Sequence, residues 1–241
     1  MAIILDGFGP YNNLNRIALA SLSAGFNFIG SEREFENLHG KVNEVFLKAH
    51  YDVFDEKRGD IAGGVSATAV KFVEINRLKT AIFGHVGFTR VYSLHDGILK
   101  LWTVDNGWYV DYNNLSLSRD LMEILDGIRT PDEAKLYLQY PPIERLWGAS
   151  NIPLTYLGVT RPQRLESVLS GFIPVFPGDK LIMTTVGVHR HLNRSEMTEL
   201  VSQESPVNVL LEQAQLRAQD KDHFRRTPMA DFSAIVVENI S

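Results

Sequence analysis

The chain has 241 residues, of which 44% are hydrophobic and 22% charged, enough to bury the core of one sizeable domain, and a single domain over 1–241 is expected. Its formal charge of −5 is spread along the sequence and no basic run is longer than Arg225-Arg226, which excludes an electrostatic footprint for nucleic acid. Cysteine is absent, which excludes disulfides, thiolate metal sites and a cysteine nucleophile, and fits a reducing cytoplasm.

Met1 leads into Ala2-Ile3-Ile4-Leu5-Asp6, an apolar run too short for a signal peptide, and no other stretch approaches the roughly 20 apolar residues of a membrane span. A soluble, cytoplasmic protein with no membrane partner is expected. Residues 3–5 read as a short buried strand, stopped by Asp6-Gly7-Phe8-Gly9-Pro10, where two glycines and a proline impose a turn. Asn13 is placed to cap a helix in which Leu14, Ile17, Ala18, Ser21 and Leu22 recur at helical spacing. A second helix repeats the scheme through Phe35, Leu38, Val42, Val45, Phe46 and Ala49.

Residues 66–74, 79–84, 88–95 and 98–104 read as strands of one antiparallel meander, with turns at Asn76-Arg77 and Asp96-Gly97. Asp-Gly between two apolar runs is a strong hairpin signal. Residues 113–163 are mixed and polar, contain Pro131, Pro141-Pro142 and Pro153, and read as short helices and loops. Pro177-Gly178-Asp179 turns into a buried strand over 180–185. Ser195 with Glu196 opens a helix through Met197, Leu200 and Val201, and Pro206 starts another through Leu210, Leu211, Ala214 and Leu216. Residues 233–237 form a closing β-branched strand, so the whole is a layered α+β pattern.

Five segments, in order and spread over nearly the whole chain, resemble the PPM-type metal-dependent serine/threonine phosphatases. Leu5-Asp6-Gly7-Phe8-Gly9 is similar to that family's strand ending in Asp-Gly-x-Gly, Gly64-Val65-Ser66-Ala67-Thr68-Ala69 to its Gly-Ser/Thr-Thr-Ala strand, and Val86-Gly87-Phe88-Thr89-Arg90-Val91-Tyr92 to its Val-Gly-Asp-Ser-Arg-x-Tyr. The run from Phe176-Pro177-Gly178-Asp179 to Val186-Gly187 resembles Pro-Gly-Asp-x-Leu-Leu-Leu-x-Ser-Asp-Gly, and Asp231-Phe232-Ser233-Ala234 to Val237 resembles the closing Asp-Asn-x-Thr-x-x-x-Val. Asp96-Gly97, Leu154-Thr155-Tyr156-Leu157-Gly158 and Leu192-Asn193-Arg194-Ser195-Glu196 are smaller echoes in the same register. The resemblance implies a layered sandwich of antiparallel sheets flanked by helix pairs, with the family's N-terminal hairpin missing.

It also implies hydrolysis of phosphate monoesters by two Mg²⁺ or Mn²⁺ ions bridged by a water. Carried across by motif, the metal ligands kept are the Asp6 carboxylate, the Gly7 carbonyl and the Asp231 carboxylate, whereas Phe88 and Val186 stand at positions of acidic ligands. Hard divalent ions need several oxygens close together. Any Mg²⁺ or Mn²⁺ is therefore expected to be single and weakly held, and two functions are in view. One is an inert pseudophosphatase that binds or regulates a protein partner or self-associates through an open sheet edge. The other is a reduced but active phosphatase that recruits a residue such as His85 or Asp105.

His189-Arg190-His191, with His85, also reads as a replacement metal or phosphate site, against the plainer reading of an exposed loop triplet. Ser116-Leu117-Ser118-Arg119 and Thr160-Arg161 are ordinary polar loops. Arg90 and Thr89 read as packing residues, and Trp102, Trp108 and Trp147 as core or rim aromatics.

Overall fold

Two four-stranded antiparallel sheets lie face to face between two groups of helices in the computed structural model, which describes residues 1–29, 37–58, 63–75, 77–106, 122, 124, 128, 156–159, 168–219 and 231–238. The first sheet runs β1 (Ala2–Phe8), β2 (Gly64–Ile75), β3 (Leu78–Val86), β6 (Leu169–Pro174). The second runs β5 (Ile98–Leu101), β4 (Arg90–His95), β7 (Lys180–Thr184), β8 (Ala234–Val237). Helices α1 (Leu14–Phe28) and α2 (Leu38–Glu56) cover the first sheet, and α3 (Val186–His189), α4 (Arg194–Val201) and α5 (Pro206–Gln219) gather on the second. This is the layered α+β sandwich expected from the sequence.

The period-2 alternation of the strands sets the layers. Along β2, Val65, Ala67 and Ala69 meet Leu22, Phe26, Val42 and Phe46 of the helix pair. The opposite face carries Ile4, Val70, Ala81 and Phe83, which pack on Val91, Leu181 and Met183 of the second sheet. Beyond that apolar stretch the same inner rows continue as Asp6, Ser66, Thr68 and His85, so one end of the space between the sheets is polar.

Several expectations are corrected, beginning with β1, which does not stop at Asp6-Gly7 but pairs on through Phe8, with Asp6 opposite Ser66 and Gly7 opposite Val65. The meander is divided, because the chain leaves the first sheet after Val86 and enters the second at Arg90. Gly87 makes the crossing at φ 90°, a conformation open to glycine, and a side chain there would strike Ser66. Strand β6 escaped the sequence reading because Leu169-Ser170-Gly171-Phe172-Ile173-Pro174 lacks alternation; a Cβ on Gly171 would come within 2.9 Å of the Phe83 ring. Helix α4 is capped by Asn193, whose side chain accepts the Glu196 N–H at 2.8 Å while Glu196 accepts the Asn193 N–H at 2.7 Å, a capping box begun two residues before Ser195. Asn13 does precede α1, but its amide donates to Glu56 of α2 instead of capping its own helix.

The Asp96-Gly97 turn forms as expected, with φ of 48° and 76° joining β4 to β5. Phe35, Asn76, the prolines between 131 and 153 and the dipeptide Leu154-Thr155 lie outside the described residues.

Candidate functional site

The two acids singled out in the sequence are brought together from opposite ends of the chain. Strand β1 alternates Ile3 and Leu5 toward the helices with Ala2 and Ile4 toward the second sheet, so Asp6 continues the row that faces β7 and β8. Asp231 stands just before β8 and is held by its backbone: Thr185 Oγ1 donates to the Asp231 carbonyl at 2.6 Å and accepts the Ser233 N–H at 3.0 Å, while the Thr185 N–H donates to the Ser233 carbonyl at 3.0 Å. Gly187 allows the approach, since a Cβ there would lie 2.5 Å from the Asp231 carbonyl oxygen.

The Asp6 carboxyl is pushed up to about 6, first by burial and then by the negative charge of Asp231. Two groups act in the opposite direction: the Val186 N–H, which donates to the carboxylate, and the Arg190 guanidinium. Arg190 also lies over the buried Phe88, its Cζ 5.6 Å from the ring centroid. Gly7 is fixed by packing, for a Cβ there would sit 2.6 Å from the side-chain oxygen of Asn15, a buried acceptor with no hydrogen-bond partner among the described residues.

The substitute ligands considered from sequence are committed elsewhere. His85 Nε2 faces the Val104 carbonyl at 3.0 Å and must donate to it, so Nδ1 is the acceptor and takes the Thr68 hydroxyl at 2.9 Å. Thr89 Oγ1, 2.6 Å from that hydroxyl, closes the chain of bonds. Burial drives the His85 imidazole down to about 3, which keeps it neutral. Asp105 is engaged by Arg90 through two hydrogen bonds, 2.9 Å from Nε to Oδ1 and 2.7 Å from Nη2 to Oδ2. Arg90 is therefore the packing residue it was read to be.

The expectation of an exposed loop at 189–191 is overturned. His189 and His191 are both buried, His189 ends the turn of α3 with Nδ1 3.0 Å from Thr184 Oγ1, and His191 stacks on Phe232 with ring centroids 5.8 Å apart. Arg190 is the half-buried member of this triplet, and its positive charge acts on Asp6 more weakly than burial, Asp231 or the Val186 N–H do. Trp102 donates Nε1 to Ser93 Oγ at 2.8 Å, with Lys100 Nζ 4.0 Å above its ring, as a rim aromatic would. Trp108, Trp147, Ser116, Leu117, Ser118, Arg119, Thr160 and Arg161 lie outside the described residues.

No protein-family model and no curated protein matches the sequence. Solved structures do. MsPP, a PPM Ser-Thr phosphatase from Mycobacterium smegmatis in complex with cacodylate, shares 19% identity over 99% of this chain and 87% of its own, with a TM-score of 0.61. The catalytic domain of the serine/threonine phosphatase PstP, in complex with 2 manganese ions, shares 15% identity over 97% and 85%, with a TM-score of 0.62. PppA, a key regulatory component of T6SS in Pseudomonas aeruginosa, shares 16% over 97% and 83%, also with a TM-score of 0.62. The chain carries the PPM phosphatase fold.

Within that fold a pair of divalent ions needs a dense set of oxygen donors. Among the described residues the donor set on this site is two carboxylates, Asp6 and Asp231, with the Gly7 carbonyl beside them, and no group of three or more His, Asp or Glu is placed to hold an ion. One acceptor site of Asp6 already takes the Val186 N–H, and a guanidinium adds positive charge. These residues do not fit a two-metal centre. No described helix of this PPM-fold chain is long and apolar enough to cross a membrane.

Proposed function

We propose that this chain is a pseudophosphatase of the PPM fold, which acts by binding and regulating a protein partner in the cytoplasm and has little or no hydrolytic activity of its own. The observation that carries this reading is the surroundings of Asp6: one acid, one N–H donor and one guanidinium, where metal-assisted phosphoryl transfer calls for several acids. Asp6, the Gly7 carbonyl and Asp231 then hold at most one Mg²⁺ or Mn²⁺, weakly. The regulatory character of PppA, which has the same fold, is in keeping with this role. So is β1, which among the described residues pairs only with β2 and presents its other edge for strand addition by a partner or a second copy. A strict monomer by light scattering removes the second copy.

A second reading, a reduced but active Mg²⁺- or Mn²⁺-dependent serine/threonine phosphatase, is favoured by the raised pKa of Asp6, since such shifts cluster where chemistry is done. One assay separates the two. Purified protein is incubated with p-nitrophenyl phosphate and with a phosphopeptide in millimolar Mn²⁺, alongside Asp6→Ala. Turnover no higher than that of Asp6→Ala is expected; turnover that Asp6→Ala abolishes establishes the enzyme and removes the pseudophosphatase.

A further inference from the structure

At the end of the sandwich away from Asp6 and Asp231, side chains fasten one sheet to the other. Strands β4 and β7 pair from Arg90 opposite Thr184 to Leu94 opposite Lys180, so His95 and Asp179 lie at the far end from Thr185, which holds Asp231. Asp179 closes the connection that carries the chain from β6 of the first sheet into β7 of the second. Its buried carboxylate accepts the Phe176 N–H through Oδ2 at 2.9 Å, and its own N–H donates to the Phe176 carbonyl at 3.0 Å. One residue earlier, the Val175 N–H donates to the Lys79 carbonyl of β3 at 3.0 Å, which ties the same segment to the first sheet. The other carboxylate oxygen, Oδ1, faces His95 Nδ1 at 2.7 Å, and the His95 ring lies tilted on that of Phe176 with centroids 5.0 Å apart. Both nitrogens of this ring face acids, since Nε2 is 3.4 Å from Asp96 Oδ2. A carboxylate only accepts, so each nitrogen has to donate, and only the imidazolium carries a proton on both.

We propose that His95 is a proton-operated clamp between the two sheets: as imidazolium it ties the β4–β5 hairpin to the β6–β7 turn through Asp179 and Phe176, and on losing its proton it loosens that turn. The clamp is separate from the function proposed above and goes beyond it. The surrounding charges agree with the geometry. The hydrogen bond to Asp179 raises the imidazole above its ordinary 6.5, partial loss of water around the ring opposes the rise, and the charges of Asp179 and Asp96 add to it. The neighbouring lysines are engaged elsewhere: Lys180 Nζ is 2.7 Å from Glu238 Oε1 and donates to the Val201 carbonyl at 2.8 Å, and Lys100 lies over the Trp102 ring. Because the folded pKa lies above the unfolded one, the contribution of the clamp is complete below pH 6.5 and is lost as pH rises through the folded pKa.

Nuclear magnetic resonance of the purified full chain tests both halves of the proposal. The His95 ring resonance gives its titration, and exchange of the Phe176 amide, divided by the intrinsic rate at each pH, gives the hold on the turn. Wild-type His95 is expected to titrate above 6.5, Asp179→Asn to return it to 6.5 or below, and Asp96→Asn to leave most of the shift in place. Protection of the Phe176 amide is expected to fall about two- to fivefold as pH rises through the His95 titration, the range of a partly exposed ion pair. His95→Gln is expected to lose that dependence. Wild-type titration at or below 6.5, Phe176 protection that ignores the titration, or the same dependence retained in His95→Gln would each overturn the clamp. Circular dichroism reports whether Asp179→Asn folds. Should it not, His95→Gln, which alters a half-exposed ring, decides the matter by itself.

Discussion

Arg90 and Asp105 meet fork to fork in the interior, with Nε 2.9 Å from Oδ1 and Nη2 2.7 Å from Oδ2, and both side chains are nearly inaccessible to solvent. Such a pair contributes little beyond an apolar replacement, but losing one partner strands a buried charge. Asp105→Asn is expected to lower stability by about 3–5 kcal/mol in urea denaturation. The double variant Arg90→Met with Asp105→Leu, which buries no charge, is expected to lose less. A double variant worse than the single one contradicts this account.

His50 and His85 make the fold sensitive to acid. Burial, with help from the Lys57 charge, pulls His50 down to about 4, and burial pulls His85 down to about 3, from an ordinary 6.5. As pH falls below 6.5 the unfolded chain binds protons that the native state refuses, so stability declines by up to about 1.4 kcal/mol per pH unit for each histidine. His50 Nδ1 accepts the Gly158 N–H at 3.1 Å, a role a glutamine oxygen retains. His50→Gln is expected to flatten the decline between pH 6.5 and about 4 in a series of denaturation curves. An unchanged slope counts against a neutral buried His50.

Asp6 works with the opposite sign. Its native pKa of about 6 lies above the unfolded 3.8, so ionising it costs stability at neutral pH, and the cost fades as pH falls through 6 toward 3.8. In EDTA at pH 7, Asp6→Asn is expected to be about 2–3 kcal/mol more stable than the wild type, from a shift of about two units. The gap should close at pH 4. A variant less stable than the wild type at pH 7 would mean that Asp6 is better accommodated as an anion than its burial implies.

Gly87 turns the chain from one sheet to the other at φ 90°, and a Cβ there would collide with the Ser66 side chain. Gly87→Ala is expected to lose about 1–3 kcal/mol from the backbone conformation, and more from the collision. Adding Ser66→Gly should restore only some of the second part, since the Ser66 Cα would still lie 2.8 Å from that Cβ. Complete recovery in thermal melts would assign the whole cost to packing.

The helices α1 and α2 were legible because Leu14, Ala18 and Leu22, and Val42, Phe46 and Ala49, repeat at the period of a helix that buries one face. The β4–β5 hairpin was legible because Asp96-Gly97 suits two successive positive φ angles. Edge strand β6 was not, since its glycine is explained only by the Phe83 ring it passes over. Nor was the division of the meander, because a strand's own pattern says which face is buried and not which sheet will bury it.

The candidate site divides in the same way. By its own residues and the motifs they resemble, the sequence singled out Asp6, Gly7 and Asp231 and marked Phe88 and Val186 as unable to bind metal. Tertiary structure decided what those residues meet: it drew Asp6 and Asp231 together, set the Val186 N–H against Asp6, and committed His85 to Thr68 and Asp105 to Arg90. The physical reason is range. Periodicity and turn chemistry act over a few residues, whereas the field at a carboxylate is the sum of charges and dipoles brought within a few ångströms by strands far apart in the chain.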